Sequence, residues 1–207
     1  MSKVWENFLL ALALVYLAAF SYPAFVAEIS TSTQNMLEIL QWTTWAIFAL
    51  DLCIGIWKAS DKKKYLKTHP LEILSVALPF LRPLRLLRVI SFGALAIQKI
   101  AVGKQMAITF KVFLFSILIA YIAAVQITIT ERGVDGSNIK SFGDGLWWAV
   151  TTVTTVGYGD RFPTTSLGRV LAVGLMLVGI SLMGVITASV AAWFVKMSQD
   201  DSITAKP

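Results

Sequence analysis

The sequence predicts an all-α membrane protein with six membrane-crossing helices per subunit and, between the fifth and sixth, a short re-entrant helix followed by a glycine-bearing strand. Three observations predict it. First, of 207 residues 57% are apolar and only 14% are charged, against roughly 45–50% and 25% in a soluble domain. Second, the charges sit in short clusters between apolar runs of membrane-crossing length, which takes ~20 residues of helix. Third, one apolar stretch, residues 142–154, is too short to cross and leads straight into a glycine-rich hexapeptide.

The basic balance, net charge +6 and pI ≈ 9.5, could suggest a nucleic-acid partner. Its distribution excludes that reading, because the Lys and Arg clusters alternate with apolar spans as the positive-inside rule requires. Cys53 is the single cysteine and His69 the single histidine, so no intrachain disulfide can form and a His/Cys metal site within one chain is disfavoured. The acids are scattered and offer no catalytic constellation. No enzymatic activity is expected.

Five runs are long enough to span: residues 4–26, 36–57, 84–102, 106–129 and 167–197. The first exceeds the roughly 7–15-residue apolar core of a cleaved signal peptide and is preceded only by Lys3, so it is expected to be retained. Residues 71–80 are bracketed by Pro70 and Pro79, and Pro83 suits the first turn of the next helix. They predict a short helix packed inside a bundle and completing six crossings. Lys58, Lys62, Lys63, Lys64, Lys67, Lys99 and Lys104 fill the second and fourth loops, and Lys3, Lys196 and Lys206 lie near the termini. The first loop, 27–35, has no Lys or Arg. A multi-pass plasma-membrane protein with both termini cytoplasmic puts all these clusters inside. Arg132, Lys140 and Arg161 would lie outside, diluted by Glu131, Asp135 and Asp160. The tail after Met197 is far shorter than the on the order of a hundred residues a ligand-binding domain needs, so regulation by such a domain in cis is not expected.

Residues 129–141 are polar, with Gly133, Asp135, Gly136, Ser137 and Asn138 as turn formers. After the short helix comes Thr155-Val156-Gly157-Tyr158-Gly159-Asp160. Non-helical backbone at membrane depth is tolerated only where protein buries it or it lines a water-filled cavity, which points to a pore. The TVGYG string resembles the filter signature of potassium channels. Its physical logic is that a dehydrating cation needs oxygens in place of its water shell. Glycines at 157 and 159 adopt φ > 0 at no steric cost and let successive carbonyls face one way. The carbonyls of Thr155, Val156, Gly157 and Tyr158 would line the path for K+, with the Thr155 hydroxyl completing the innermost site and the Val156 and Tyr158 side chains packing behind. The helix C-terminus near Thr154 carries partial negative charge that favours a cation. Trp147 and Trp148 would brace the strand, their indole N–H groups seeking Asp160 or the Tyr158 hydroxyl. One strand cannot surround an ion, so the expected unit is a homotetramer.

Residues 146–160, LWWAVTTVTTVGYGD, resemble the pore helix and filter of potassium channels, and residues 174–195 are similar to the inner helix of bacterial members. The resemblance implies a voltage-sensor-like four-helix domain over 1–102 and a pore domain over 103–207. It puts Gly179 at a gating hinge, Ile180, Met183 and Thr187 on the cavity, and 188–192 near the bundle crossing. Arg169 matches a position near the outer headgroups that suits anionic lipid. Thr151 stands where some relatives carry a glutamate behind the filter. The amino-terminal half resembles a voltage sensor more faintly. Arg82, Arg85 and Arg88 recur every third residue, but Ser91 and Ala94 continue that register without charge. Phe48 and Asp51 are spaced like the aromatic plug and acid of a charge-transfer site, Glu72 lies one residue off the register of the third helix's acid, and Glu28 and Glu38 could pair with outer arginines.

The function so implied is passive, potassium-selective conduction, voltage-modulated, with K+ as permeant ion and no organic cofactor. Three charges in each of four subunits could supply up to roughly 28 kcal/mol per 100 mV if all crossed the full field. The alternative keeps the pore but gates it by lipid, pH or another signal, with the arginines snorkelling to headgroups. A secondary transporter is disfavoured because the re-entrant segment occurs once, without a paired inverted repeat.

Overall fold

The computed structural model describes residues 3–59, 61–68, 73 and 104–204. Among them are six helices: α1 (Lys3–Phe25), α2 (Thr31–Lys58), α3 (Lys62–Thr68), α4 (Lys104–Glu131), α5 (Phe142–Val153) and α6 (Ser166–Thr204). Four are long and apolar enough to cross a bilayer, over Asn7–Phe25, Thr31–Lys58, Thr109–Glu131 and Ser166–Val195. The protein is a multi-pass, all-α membrane protein. The runs expected at 84–102 and 71–80, with Arg82, Arg85, Arg88 and Glu72, lie outside the described residues, as does the expected domain boundary at 102/103. The helices fall into two compact units, one within Met1–Ser91 and one within Phe92–Pro207.

In the first unit, α1 buries a stripe of Leu9, Ala13, Tyr16, Phe20 and Ala24, spaced at three and four residues as one helix face requires. The facing helix α2 buries Leu37, Thr44, Phe48 and Leu52. Ser30 caps α2 by accepting from the Thr33 N–H at 3.2 Å, the role for which a short hydroxyl side chain is favoured. The hydroxyls of Thr43 and Thr44 return to carbonyls four residues back, both at 2.7 Å, which satisfies them inside an apolar helix. Asp61 caps α3 through the Lys64 N–H at 3.0 Å.

The second unit is built on small residues. Ala120, Ala123, Ala124 and Ile127 of α4 pack with Trp148, Ala149 and Val153 of α5 and with Ala172, Leu175 and Leu182 of α6. Alanines let helix backbones approach closely where lipid leaves no hydrophobic drive between helices. Gly145 extends this, since a Cβ there would lie 2.7 Å from the Ala124 carbonyl oxygen. Two side-chain clasps join α4 to the start and to the far part of α6. At one end the fully buried Glu131 accepts from the Thr164 and Thr165 N–H groups at 3.0 and 2.9 Å and from their hydroxyls at 2.5 and 2.7 Å. At the other, the hydroxyls of Thr109 and Ser189 meet at 2.6 Å.

Candidate functional site

α5 has 12 residues, about 18 Å at ~1.5 Å per residue, and cannot cross a hydrocarbon core of ≈ 30 Å. Its start is fixed by a reciprocal capping box. The Ser141 hydroxyl accepts from the Asp144 N–H at 3.2 Å, and Asp144 Oδ2 accepts from the Ser141 N–H at 3.0 Å. The Lys140 N–H also donates to Asp144 at 3.1 Å, and Arg161 Nε pairs with its other oxygen at 2.9 Å. Burial by itself would raise the Asp144 pKa. The bonds from Ser141, Lys140 and Arg161 together outweigh it and hold the carboxyl below its ordinary value.

The helix ends at Thr154 (φ −83°, ψ 0°), and the chain then changes hand at every residue. Thr155, Gly157 and Gly159 have φ of +62°, +55° and +78°, while Val156 and Tyr158 do not enter the positive region. The sign of φ thus alternates along this ladder of five residues, a pattern that regular helix and strand backbones do not have. The N–H groups of Thr155 and Gly157 donate back to the carbonyls of Thr152 and Thr151, each at 3.0 Å. Among the described residues no hydrogen bond reaches the carbonyls of 155–158. Sequence reasoning assigned positive φ to the two glycines and missed Thr155, because a β-branched residue in that region is uncommon. Residues 155–160 are exposed on the single chain.

Behind this ladder, Trp147 Nε1 donates to Asp160 Oδ2 at 2.8 Å, and the Trp147 and Tyr158 rings stack with centroids 5.6 Å apart. Trp148 is instead buried in the core. Thr151 is buried and its hydroxyl donates to the Trp148 carbonyl at 3.1 Å, so it spends its proton inside α5. Val156 is 54% exposed.

Along α6, Leu175, Gly179 and Leu182 form the buried face, while Ile180 and Thr187 are exposed and Met183 is partly so. A Cβ on Gly179 would lie 2.5 Å from the Val153 carbonyl oxygen. The glycine therefore allows α6 to touch the last turn of α5, a packing duty beyond the hinge that resemblance suggests. Arg169 is exposed in the first turns of α6. In the first unit Phe48 is buried, and Asp51 one turn on accepts from Trp5 Nε1 at 2.8 Å. Glu131, read from sequence only as a diluting charge, and Asn138, read as a turn former, both prove to be long-range anchors.

Residues 107–196 match the family model described as ion channel. The chain is 42% identical over 83 residues to a calcium-gated potassium channel of Thermoplasma volcanium, covering 40% of this chain and 24% of that one. It is 38% identical over 109 residues to a voltage-gated potassium channel of Aeropyrum pernix, covering 53% and 37%. With the human potassium voltage-gated channel subfamily KQT member 4 the identity is 45% over 64 residues, covering 31% and 9%. Residues 107–196 are thus similar to ion-channel sequence, and the relatives that share identity with this chain are named as potassium channels. The match reads residues 107–196 as channel sequence rather than enzyme sequence, and among the described residues no group of three or more His, Cys, Asp or Glu could hold a metal ion. The chain spans well under half the length of these relatives, 24%, 37% and 9%.

Proposed function

We propose that four copies of the chain surround a water-filled path and conduct K+ passively and selectively between the carbonyls of residues 155–158. One observation carries this reading: φ changes sign at each residue from 155 to 159, which aims unpartnered carbonyl oxygens to one side. Four such ladders can replace a hydration shell. A lone ladder in hydrocarbon would leave each unsatisfied carbonyl at a cost of several kcal/mol. The negative end of α5 favours a cation just inside the ladder. Ile180, Met183 and Thr187 face the inner cavity, Gly179 lets α6 bend, and both termini are cytoplasmic.

The gate is a separate matter. The relatives are named for calcium and for voltage, so what they share by name is the potassium channel and not its trigger. We infer voltage modulation through Arg82, Arg85 and Arg88, with Phe48, Asp51 and Glu72 as their path. The second reading, a structural sensor-like unit with the gate set by lipid, pH or another signal, is favoured by the Trp5–Asp51 hydrogen bond, which gives Asp51 a static partner.

Purified chain in planar bilayers under opposed potassium and sodium gradients tests both. A reversal potential near that of potassium, with barium block, supports the pore, and open probability that rises with voltage supports the sensor. Sodium passing as readily as potassium, or assembly without fourfold symmetry, overturns the pore. Gly157→Ala should abolish flux, since nothing crowds the site and the loss would come from placing a left-handed alanine at about 1–2 kcal/mol in each strand.

A further inference from the structure

The chain leaving the carbonyl ladder is held from the loop between α4 and α5. Asn138 reaches it with both atoms of its amide: Nδ2 donates to the Asp160 carbonyl at 3.1 Å, and Oδ1 accepts from the Phe162 N–H at 3.1 Å. Only one orientation of the amide satisfies both partners. Those backbone groups flank Arg161, whose own side chain is paired with Asp144. The carboxylate of Asp160 is taken by Trp147. Three consecutive residues are thus tied to three different places.

Asn138 is itself fixed. Its neighbours Ser137 and Ile139 are buried, Ile139 completely, and the Ile139 N–H donates to the Ser137 hydroxyl at 3.2 Å. Two turns, from the Val134 N–H to the Glu131 carbonyl at 3.2 Å and from the Ser137 N–H to the Val134 carbonyl at 3.1 Å, bring the loop back to this point. Left-handed glycines at 133 and 136 make those turns. The amide is therefore preorganised by buried residues on either side of it.

We propose that Asn138 is a positioning residue for the selectivity ladder, gripping the chain on both sides of Arg161 so that the spacing of the 155–158 carbonyls is set from outside the ladder. The inference rests on the conduction reading above. The inner end of the ladder is fixed by the carbonyls of Thr151 and Thr152, and between the two ends the oxygens have no bonded partner of their own, so their spacing follows from where the ends are held. Both Asn138 bonds are solvent-accessible. Water can take them over when the side chain is truncated, which frees the geometry while leaving stability nearly unchanged. That separates positioning from a purely structural role.

The test compares wild-type full chain with Asn138→Ala and Asn138→Asp in liposomes. The readings are the potassium-to-sodium permeability ratio, the persistence of current as potassium is lowered, and the thermal midpoint of the assembly. Asn138→Ala should lower the ratio about fivefold, the worth of one typical hydrogen bond, with an unchanged midpoint. Asn138→Asp keeps the acceptor for Phe162 but turns an oxygen towards the Asp160 carbonyl, and should lose at least as much. High potassium should restore current in both, because the ion binds the ordered ladder and favours it by mass action. Wild-type ratios in both variants overturn the proposal, and so does a ratio that falls only together with the midpoint or with assembly. A wild-type chain that shows no potassium-selective flux overturns the conduction reading itself, and is recognised before any variant is measured.

Discussion

The two units solve the same problem of holding helices together in lipid with different means. In the first, most described side-chain hydrogen bonds are local, hydroxyls returning to their own helix, and Trp5 to Asp51 reaches across from α1 to α2. In the second, bonds between residues 13 to 34 positions apart join α4, α5, α6 and the exit loop. A helix pair whose hydroxyls are satisfied locally can slide while breaking little, whereas a segment braced from several directions keeps its spacing. Stability is rarely uniform across a protein, and elements that move are drawn from its less stable parts.

The comparison can be broken most directly at Glu131. Four donors face its oxygens, which suits a carboxylate, an acceptor-only group. Glu131→Gln should cost roughly 2–3 kcal/mol, as for hydrogen bonds to a charged group, read as a lower denaturation midpoint of the assembly. A midpoint within error of wild type would mean that the second unit is no better braced than the first. Next comes Gly179→Ala, which drives a Cβ to 2.5 Å from the Val153 carbonyl oxygen and should cost about 1–3 kcal/mol by overpacking. If the residue serves only as a hinge, open probability will change while the thermal midpoint does not.

A smaller effect is expected from acid. The Asp144 carboxyl titrates below its unfolded value of 3.8, so its contribution is fully present above that pH and is lost as pH falls through the lower folded value. Acidification from pH 5 to 3 should lower the midpoint of wild type, and Asp144→Asn should remove part of that slope. An identical slope in both would exclude the Asp144 network as its source. The smallest effect belongs to the first unit. Trp5→Phe should cost about 0.5–1.5 kcal/mol for a single hydrogen bond. If Asp51 serves the sensor, the same variant should also shift the half-activation voltage while leaving permeability ratios untouched.

Much of the helical layout was legible because lipid imposes a simple rule of length and apolarity. The runs at 4–26, 36–57, 106–129 and 167–197 fall on α1, α2, α4 and α6, although α2 starts earlier, at Thr31, and α6 runs on to Thr204. The short helix was legible because 142–154 cannot span. The positive φ of Gly157 and Gly159 follows from what glycine tolerates. That of Thr155 does not, because the cause is a hydrogen-bonded turn back to Thr152 rather than an intrinsic preference. Glu131 and Asn138 were illegible for another reason. Their partners lie 22 to 34 residues on, and neither helical nor strand periodicity reports a pairing at that range. Gly179 could be singled out by resemblance, but its approach to Val153 depends on where α5 ends.

The Glu131 clasp also determines where leverage falls in the second unit. It rivets α4 to the two residues that lead into α6, so a rotation of the two rods about that point is one that leaves the clasp intact. Ser189 lies some 24 residues farther along α6, an arm of about 36 Å at ~1.5 Å per residue. A tilt of only ~5° at the rivet then sweeps the distal end by ~3 Å, far outside hydrogen-bond range. The Thr109–Ser189 hydroxyl pair, closed at 2.6 Å, sits where the smallest rotation is most magnified and would part at its onset.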